Sequence, residues 1–340
     1  MPEGLPRRTP VGPTCSPTVR ARPARHVTRA RTGGSRHGAL PLPPRSPRSR
    51  CVDIELWAIN PPKRGARLAE PPAESVREMA EAIAEALRPH TLRAFAFFGH
   101  SLGAAVAYET ARQLEARALH LPLLLFASAH GSPDLLPAEG GQLSHLPAEQ
   151  LVAGAQRWGW AGQLDCAAVL ADAELRAAVL PALRADLLCN ESWPELGSSP
   201  TELPFPIIPL AGAADESVPP AAVRGWLRFG APPLYAVDGA SGLPAAASAE
   251  QGGAAAARKA HVLVFEGGHF FPHHGGGGAD GGDSSGDGGS RVAVLAAVTA
   301  HLRAAHGALP EAVLDGGAFE AWGEDLFGRI ARQARLRPKR

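Results

Sequence analysis

Ser101 stands at the centre of Gly99-His100-Ser101-Leu102-Gly103, after the apolar run at residues 94–98 and before an alanine-rich run that begins at Ala104. A serine hydroxyl is a weak nucleophile. It needs a general base within hydrogen-bond reach and a carboxylate that orients the base. A glycine-x-serine-x-glycine pentapeptide alone is a common accident in a chain with 38 glycines. Between a strand and a helix it gains meaning, because the turn lifts the hydroxyl out of the sheet and aims the unpaired N–H groups of the helix N-terminus at its surroundings. On this reading Gly99 and Gly103 both leave room for neighbouring backbone. The N–H of Leu102 supplies one of the two donors that a tetrahedral oxyanion needs.

The partners of such a serine follow it in the order acid, then histidine. Asp215 ends "PIIPLAGAAD", a strand-like run and a small-residue loop, and His269 ends "HVLVFEGGH", again a strand and a glycine turn. Asp238 is the competing acid, although it borders a low-complexity stretch. His100 lies inside the corner and cannot reach around to serve Ser101, so its role is packing or support of the residues around the site. His273 and His274 lie close to His269 but have no acid or cysteine at ligand spacing, and no metal or other cofactor is expected.

The elements that must hold these residues alternate. Residues 52–59, 95–98, 121–127, 206–211 and 261–265 read as strands, and the continuous apolar runs among them predict a parallel sheet covered on both faces. Ser75 and Glu78 form a capping box opening a helix whose Val76, Met79, Ala80, Ile83 and Leu87 make one apolar stripe. Residues 104–117 and 292–302 read as further helices. Residues 134–200 carry no strand signal and show helical patches at 148–158 and 172–188, as a helical insertion would.

Residues 1–50 hold eleven arginines and ten prolines against one acid, Glu3, with no period a helix or strand could use. This predicts a disordered basic segment with some of the character of an organelle transit peptide. Low-complexity residues 239–260 and 275–290 read as flexible insertions, and residues 310–340 as an amphipathic tail. Removing the three disordered or low-complexity stretches leaves about 250 residues, the size of a single α/β domain; its bounds are 51–309. With 340 residues and a net charge of +1, the global balance points to neither nucleic acid nor an anionic membrane surface. No apolar run is long enough for a spanning helix. Four cysteines without paired spacing fit a reducing compartment, cytoplasmic or organellar.

The segments "ELWAINPPKRGARLAEPP", "FFGHSLGAAVAYETARQL", "FASAHGSPDLLP", "LPALRADLLCNESW", "LAGAADESVPPAAVRGW" and "EGGHFF" resemble the type II thioesterases, over residues 52–272. That resemblance implies an α/β-hydrolase, with a mostly parallel sheet, helices on both faces and a mobile helical lid at about 134–200. It implies a hydrolase releasing acyl chains from the phosphopantetheine arm of an acyl carrier protein or carrier domain, in fatty-acid, polyketide or nonribosomal-peptide synthesis. The family pattern places the nucleophile at Ser101, the orienting acid at Asp215 and the base at His269. Family members also begin with an apolar strand and a glycine-rich loop that gives the second oxyanion donor. Here that strand is missing or degraded, and Gly33-Gly34 is the only candidate loop. Other readings are a carboxylesterase of the same fold, an acyltransferase sharing the "GHSLG" motif, and a carrier-binding relative with weakened catalysis. Lid residues Leu151, Trp158, Trp160 and Trp193 either line the acyl channel or fill core.

Overall fold

The computed structural model describes residues 27–30, 56–64, 67–135, 142–157, 166–194, 199–245, 259–272 and 289–309. Its centre is a four-stranded sheet, β3 (Phe97–His100), β4 (Leu125–Ser128), β5 (Ile207–Gly212) and β6 (Leu263–Phe265), in that spatial order; a separate pair precedes it, β1 (Val27–Ala30) and β2 (Leu56–Ile59). All pairings in the larger sheet are parallel, with Phe97 opposite Leu125, Leu125 opposite Ile207, and Leu210 opposite Leu263. Every residue of β4 and β5 is buried, as strands covered on both faces require.

Alternation along these strands feeds two cores. Leu125, Ala127, Ile207 and Ala211 face one side, where they meet Val76 and Met79 of α1 (Val76–Leu87) and Ala104, Ala105, Tyr108 and Ala111 of α2 (Leu102–Ala116). Leu124, Phe126, Ile208, Leu210 and Leu263 face the other, under Val294, Ala297 and Ala305 of α7 (Gly289–Gly307). The helices therefore lie on both faces, as the continuous apolar runs predicted and as the α/β-hydrolase fold implied by the family resemblance requires. Ser75 caps α1 by accepting from Glu78 N at 3.1 Å, but the Glu78 carboxylate returns to Glu74 N at 2.7 Å instead of Ser75 N.

The strands do not start and stop where the apolar runs do. β3 begins two residues later than the run at 95–98 and continues through Gly99 and His100, because its ladder with β4 extends to Ser128. β6 begins at Leu263 and not at His261: its ladder starts opposite Leu210, and Pro209 just before it has no N–H to offer a neighbour. The expectation of no regular structure in residues 1–50 is corrected at Val27–Ala30, which pairs antiparallel with β2, Val27 opposite Ile59 and Ala30 opposite Leu56. A ladder is made of backbone groups, so four residues without an apolar period can still form one.

Between β4 and β5 the described regular elements are helices, α3 (Ala148–Arg157), α4 (Cys166–Ala171) and α5 (Ala173–Glu191); a single turn, α6 (Pro220–Val223), comes after β5. Helices α3 to α5 share a small core of their own around Leu151, Val152, Val169, Leu180, Leu183 and Leu187. The second half of α5 and the residues just after it are tied to the body of the protein at several points. Asp186 pairs with Arg64, Asn190 Oδ1 lies 2.9 Å from His130 Nε2, and Trp193 Nε1 donates to the buried Glu109 carboxylate at 3.1 Å. Leu151 is wholly buried and Trp193 is 5% exposed; Trp193 stacks on Trp226 with centroids 6.2 Å apart. These two side chains therefore fill core, while Trp158 and Trp160, like the tail beyond 309, lie outside the described residues. Cys166 and Cys189 are free and buried.

Candidate active site

α2 starts at Leu102, one residue after Ser101, two residues earlier than the alanine run suggested. Ser101 is its N-cap and has φ 53° and ψ −129°, a region that non-glycine residues enter at a cost of about 1–3 kcal/mol. The turn is held by Ser101 N donating to Ser128 O at 2.8 Å, which ties it to the end of β4. Gly99 is where the close approach is: a Cβ there would lie 2.2 Å from Gly103 O and 2.6 Å from Ala104 Cα. The expectation that both glycines make room is corrected at Gly103, where a Cβ would meet nothing within 4 Å. The crowding is one-directional, since the backbone of residue 103 presses on residue 99. Leu102, first in the helix, has an N–H with no acceptor one turn back in its own helix, and the helix dipole adds positive potential there.

Asp215 lies in the loop after β5 and His269 in the loop after β6. The two loops are drawn together because a Cβ at Gly212 would stand 2.4 Å from Gly268 O, so only glycine allows the approach. Ala213 N and Ala214 N donate across to Phe265 O and Gly267 O at 2.8 and 2.9 Å. Phe271, fully buried, stacks on Phe265 at 5.5 Å and anchors the "GGHFF" segment.

The three side chains form one hydrogen-bonded chain. His269 Nε2 is 2.9 Å from Ser101 Oγ, and His269 Nδ1 is 2.9 Å from Asp215 Oδ2. Asp215 is 4% exposed and His269 8%. Burial pushes the Asp215 carboxyl up, but hydrogen bonds from His269, Ser217 and Val218 outweigh it and hold the group below its ordinary value. An ionised carboxylate only accepts, so Nδ1 carries the proton and Nε2 is left to accept the Ser101 hydroxyl. Nucleophile, base and orienter thus stand in the order and geometry that general-base activation of an alcohol requires.

Other candidates fall elsewhere. Asp238 is exposed, and its Oδ1 accepts from Ala240 N, Ser241 N and Ser241 Oγ in its own turn. His100 Nδ1 lies 3.0 Å from Ser128 Oγ, and its ring packs 5.3 Å from that of His269. Gly33, Gly34, His273 and His274 lie outside the described residues. Among the described residues no group of three or more histidine, cysteine, aspartate or glutamate side chains could hold a metal ion, and no helix is long and apolar enough to cross a membrane.

Two residues near the site carried no obvious signal in the sequence. Ser217, two positions after Asp215, donates its hydroxyl to Asp215 Oδ1 at 2.6 Å; the one signal is that a loop aspartate tends to accept from the backbone two residues on. His130, just after β4, sits against Trp193 with centroids 5.3 Å apart, and burial, offset in part by its hydrogen bonds, lowers its pKa. Nothing local distinguishes it from the other twelve histidines.

The thioesterase domain family matches residues 44–275. Thioesterase PikA5 of Streptomyces venezuelae is 37% identical over 183 residues, 53% of this chain and 62% of that relative. The chain spans less than two thirds of the length of three curated relatives it matches. Among solved structures, the type II thioesterase BorB from the borrelidin biosynthetic cluster is 28% identical with a TM-score of 0.52, covering 73% of this chain and 82% of that one. YbtT, a type II thioesterase from the yersiniabactin NRPS/PKS biosynthetic pathway, is 26% identical with a TM-score of 0.50, over 66% and 78%.

Proposed function

Because the chain belongs to the thioesterase family, we propose that it is a serine thioesterase that hydrolyses acyl thioesters on the phosphopantetheine arm of carrier proteins or carrier domains, in polyketide or nonribosomal-peptide synthesis. The observation that carries the chemistry is the unbroken chain Asp215–His269–Ser101, two contacts of 2.9 Å across residues far apart in sequence. The NRPS/PKS pathway of the relative YbtT supports the choice of substrate class.

Ser101 Oγ attacks the thioester carbonyl as His269 Nε2 accepts the hydroxyl proton. Asp215 stabilises the imidazolium through Nδ1–H without itself becoming protonated. The Leu102 N–H meets the oxyanion, and one such donor is worth about 2.7–4 kcal/mol of barrier. As the tetrahedral intermediate collapses, the C–S bond breaks, the pantetheine thiol leaves with the proton from His269, and the acyl group stays on Ser101. A water, deprotonated by the same imidazole, repeats the sequence and frees the acid.

Thiol release from an acyl-phosphopantetheine carrier protein tests this. Wild type should turn over and Ser101→Ala should fall to the rate of a buffer blank. Equal rates would sink the serine mechanism. No release by either, with carrier still bound, would favour a binding relative, and equal preference for short oxygen esters a carboxylesterase.

A further inference from the structure

Resting on that reading, we propose that Ser217 is a positioning residue for the Asp215–His269 pair, its hydroxyl fixing the carboxylate and holding the imidazole in the tautomer that serves Ser101. Three donors converge on Asp215 Oδ1: Ser217 N at 3.0 Å, Val218 N at 2.9 Å and Ser217 Oγ at 2.6 Å. The two N–H groups belong to the backbone turn that follows the aspartate. The hydroxyl differs, because its oxygen also lies 3.3 Å from His269 Nδ1 and so touches both partners.

The direction of each bond follows from what each group can do. The Asp215 carboxylate accepts only, so the Ser217 hydrogen must point at Oδ1, and the lone pairs of Oγ are left for the Nδ1–H of His269. That N–H then faces two acceptors, Asp215 Oδ2 and Ser217 Oγ, and no competing donor among the described residues. Moving the proton to Nε2 would break both contacts and leave Ser101 facing an N–H instead of an acceptor. Ser217 itself is exposed while the carboxylate is not, so the hydroxyl occupies the solvent side of Asp215. A fixed protein dipole there needs no reorganisation as charge develops on the imidazole, whereas a water in its place would. Ser217 belongs to none of the apolar cores, which leaves this contact set as its contribution.

The groups that face this pair are few. Glu216 neighbours Ser217 on the same loop. His100 comes from β3, its ring 5.3 Å from that of His269, and His130 comes from the segment after β4 and interacts electrostatically with His269.

The test compares wild type, Ser217→Ala and Ser217→Thr. It measures kcat and KM for carrier-bound thioester across pH, and the His269 imidazole titration by NMR in substrate-free protein. Ser217→Ala should lower kcat about tenfold with KM unchanged. Losing the hydroxyl removes one donor from the carboxylate and one acceptor from Nδ1–H, so the NMR midpoint and the acid limb of the profile should move together away from their wild-type positions. Ser217→Thr, which keeps the hydroxyl, should restore both. Wild-type kcat and an unmoved His269 titration in Ser217→Ala would overturn the proposal, and so would a lowered melting temperature with raised KM and no NMR shift. The NMR arm needs no turnover. A shifted titration in a protein that releases no thiol would refute the thioesterase reading and leave the positioning role standing.

Discussion

Replacing Gly99 by alanine isolates what the corner costs. The added methyl would stand 2.2 Å from Gly103 O, 2.5 Å from Gly103 C and 2.6 Å from Ala104 Cα. All three are backbone atoms in the first turn of α2, so no flexible side chain can yield. To restore ordinary van der Waals separation, the strand end and the helix start must part by roughly 1 Å, and overpacking of this kind costs about 1–3 kcal/mol of stability. The same displacement moves Ser101 relative to His269, which comes from a different loop and does not follow. A misplacement of about 1 Å between reacting groups costs on the order of 10²-fold in rate. Gly99→Ala should therefore lower the urea midpoint and reduce kcat for thiol release by about two orders of magnitude. Gly103→Ala is the matched control: its methyl meets nothing within 4 Å, and alanine favours a helix over glycine by up to about 1 kcal/mol, so its urea midpoint should hold or rise. Wild-type stability and rate in Gly99→Ala, or equal loss of stability in both variants, would refute this account of the turn.

Asp215→Asn should keep the fold and lower kcat by on the order of 10³–10⁴-fold, because an amide N–H aimed at Nδ1 stabilises the tautomer that cannot accept from Ser101; wild-type kcat would remove Asp215 from its role. Burial, with a smaller opposing effect from a hydrogen bond to Gly242, lowers the pKa of His301 to about 4, and Tyr235 Oη lies 2.7 Å from its Nδ1. A histidine held neutral in the fold binds its proton more readily when unfolded. Stability is therefore full above pH 6.5 and is lost as pH falls toward about 4, by roughly 3 kcal/mol. The lowered pKa of His130 acts in the same direction. Urea midpoints of His301→Phe across that window should fall less steeply than those of wild type, and an identical slope would contradict the assignment. Ser75→Ala removes the cap on α1 and should cost about 1 kcal/mol in urea unfolding with catalysis unchanged.

Much of the candidate site is local and therefore written in the chain. A strand, a glycine, a serine and a helix are contiguous, and the steric need for Gly99 follows from a close approach within five residues, Gly99 to Gly103. The order serine, acid, histidine follows from successive strand ends of a parallel sheet, each of which opens on the same edge. The start of β6 was not legible in this way, because the apolar run begins earlier and it is Pro209 on the neighbouring strand that delays the ladder. Nor was the pairing of Val27–Ala30, whose residues show no pattern and whose partner is a strand some thirty residues on. Gly103 looked required because it completes a motif, and only the direction of the backbone approach shows that it is not.

What the amino-acid order determined by itself is the set of chemical groups and the elements that end in them: a serine at a corner, and an acid and a histidine at two later strand ends. Tertiary structure alone decided which acid meets His269, since Asp238 spends its oxygen on its own turn while Asp215 reaches the imidazole. It also decided that Ser217 enters the network and that Leu151 and Trp193 belong to core. The physical reason is range. Turn sterics and hydrophobic period act over a few residues and can be read along the chain, whereas a hydrogen bond of 2.9 Å between residues 101 and 269 exists only once the sheet has set the distance between its loops.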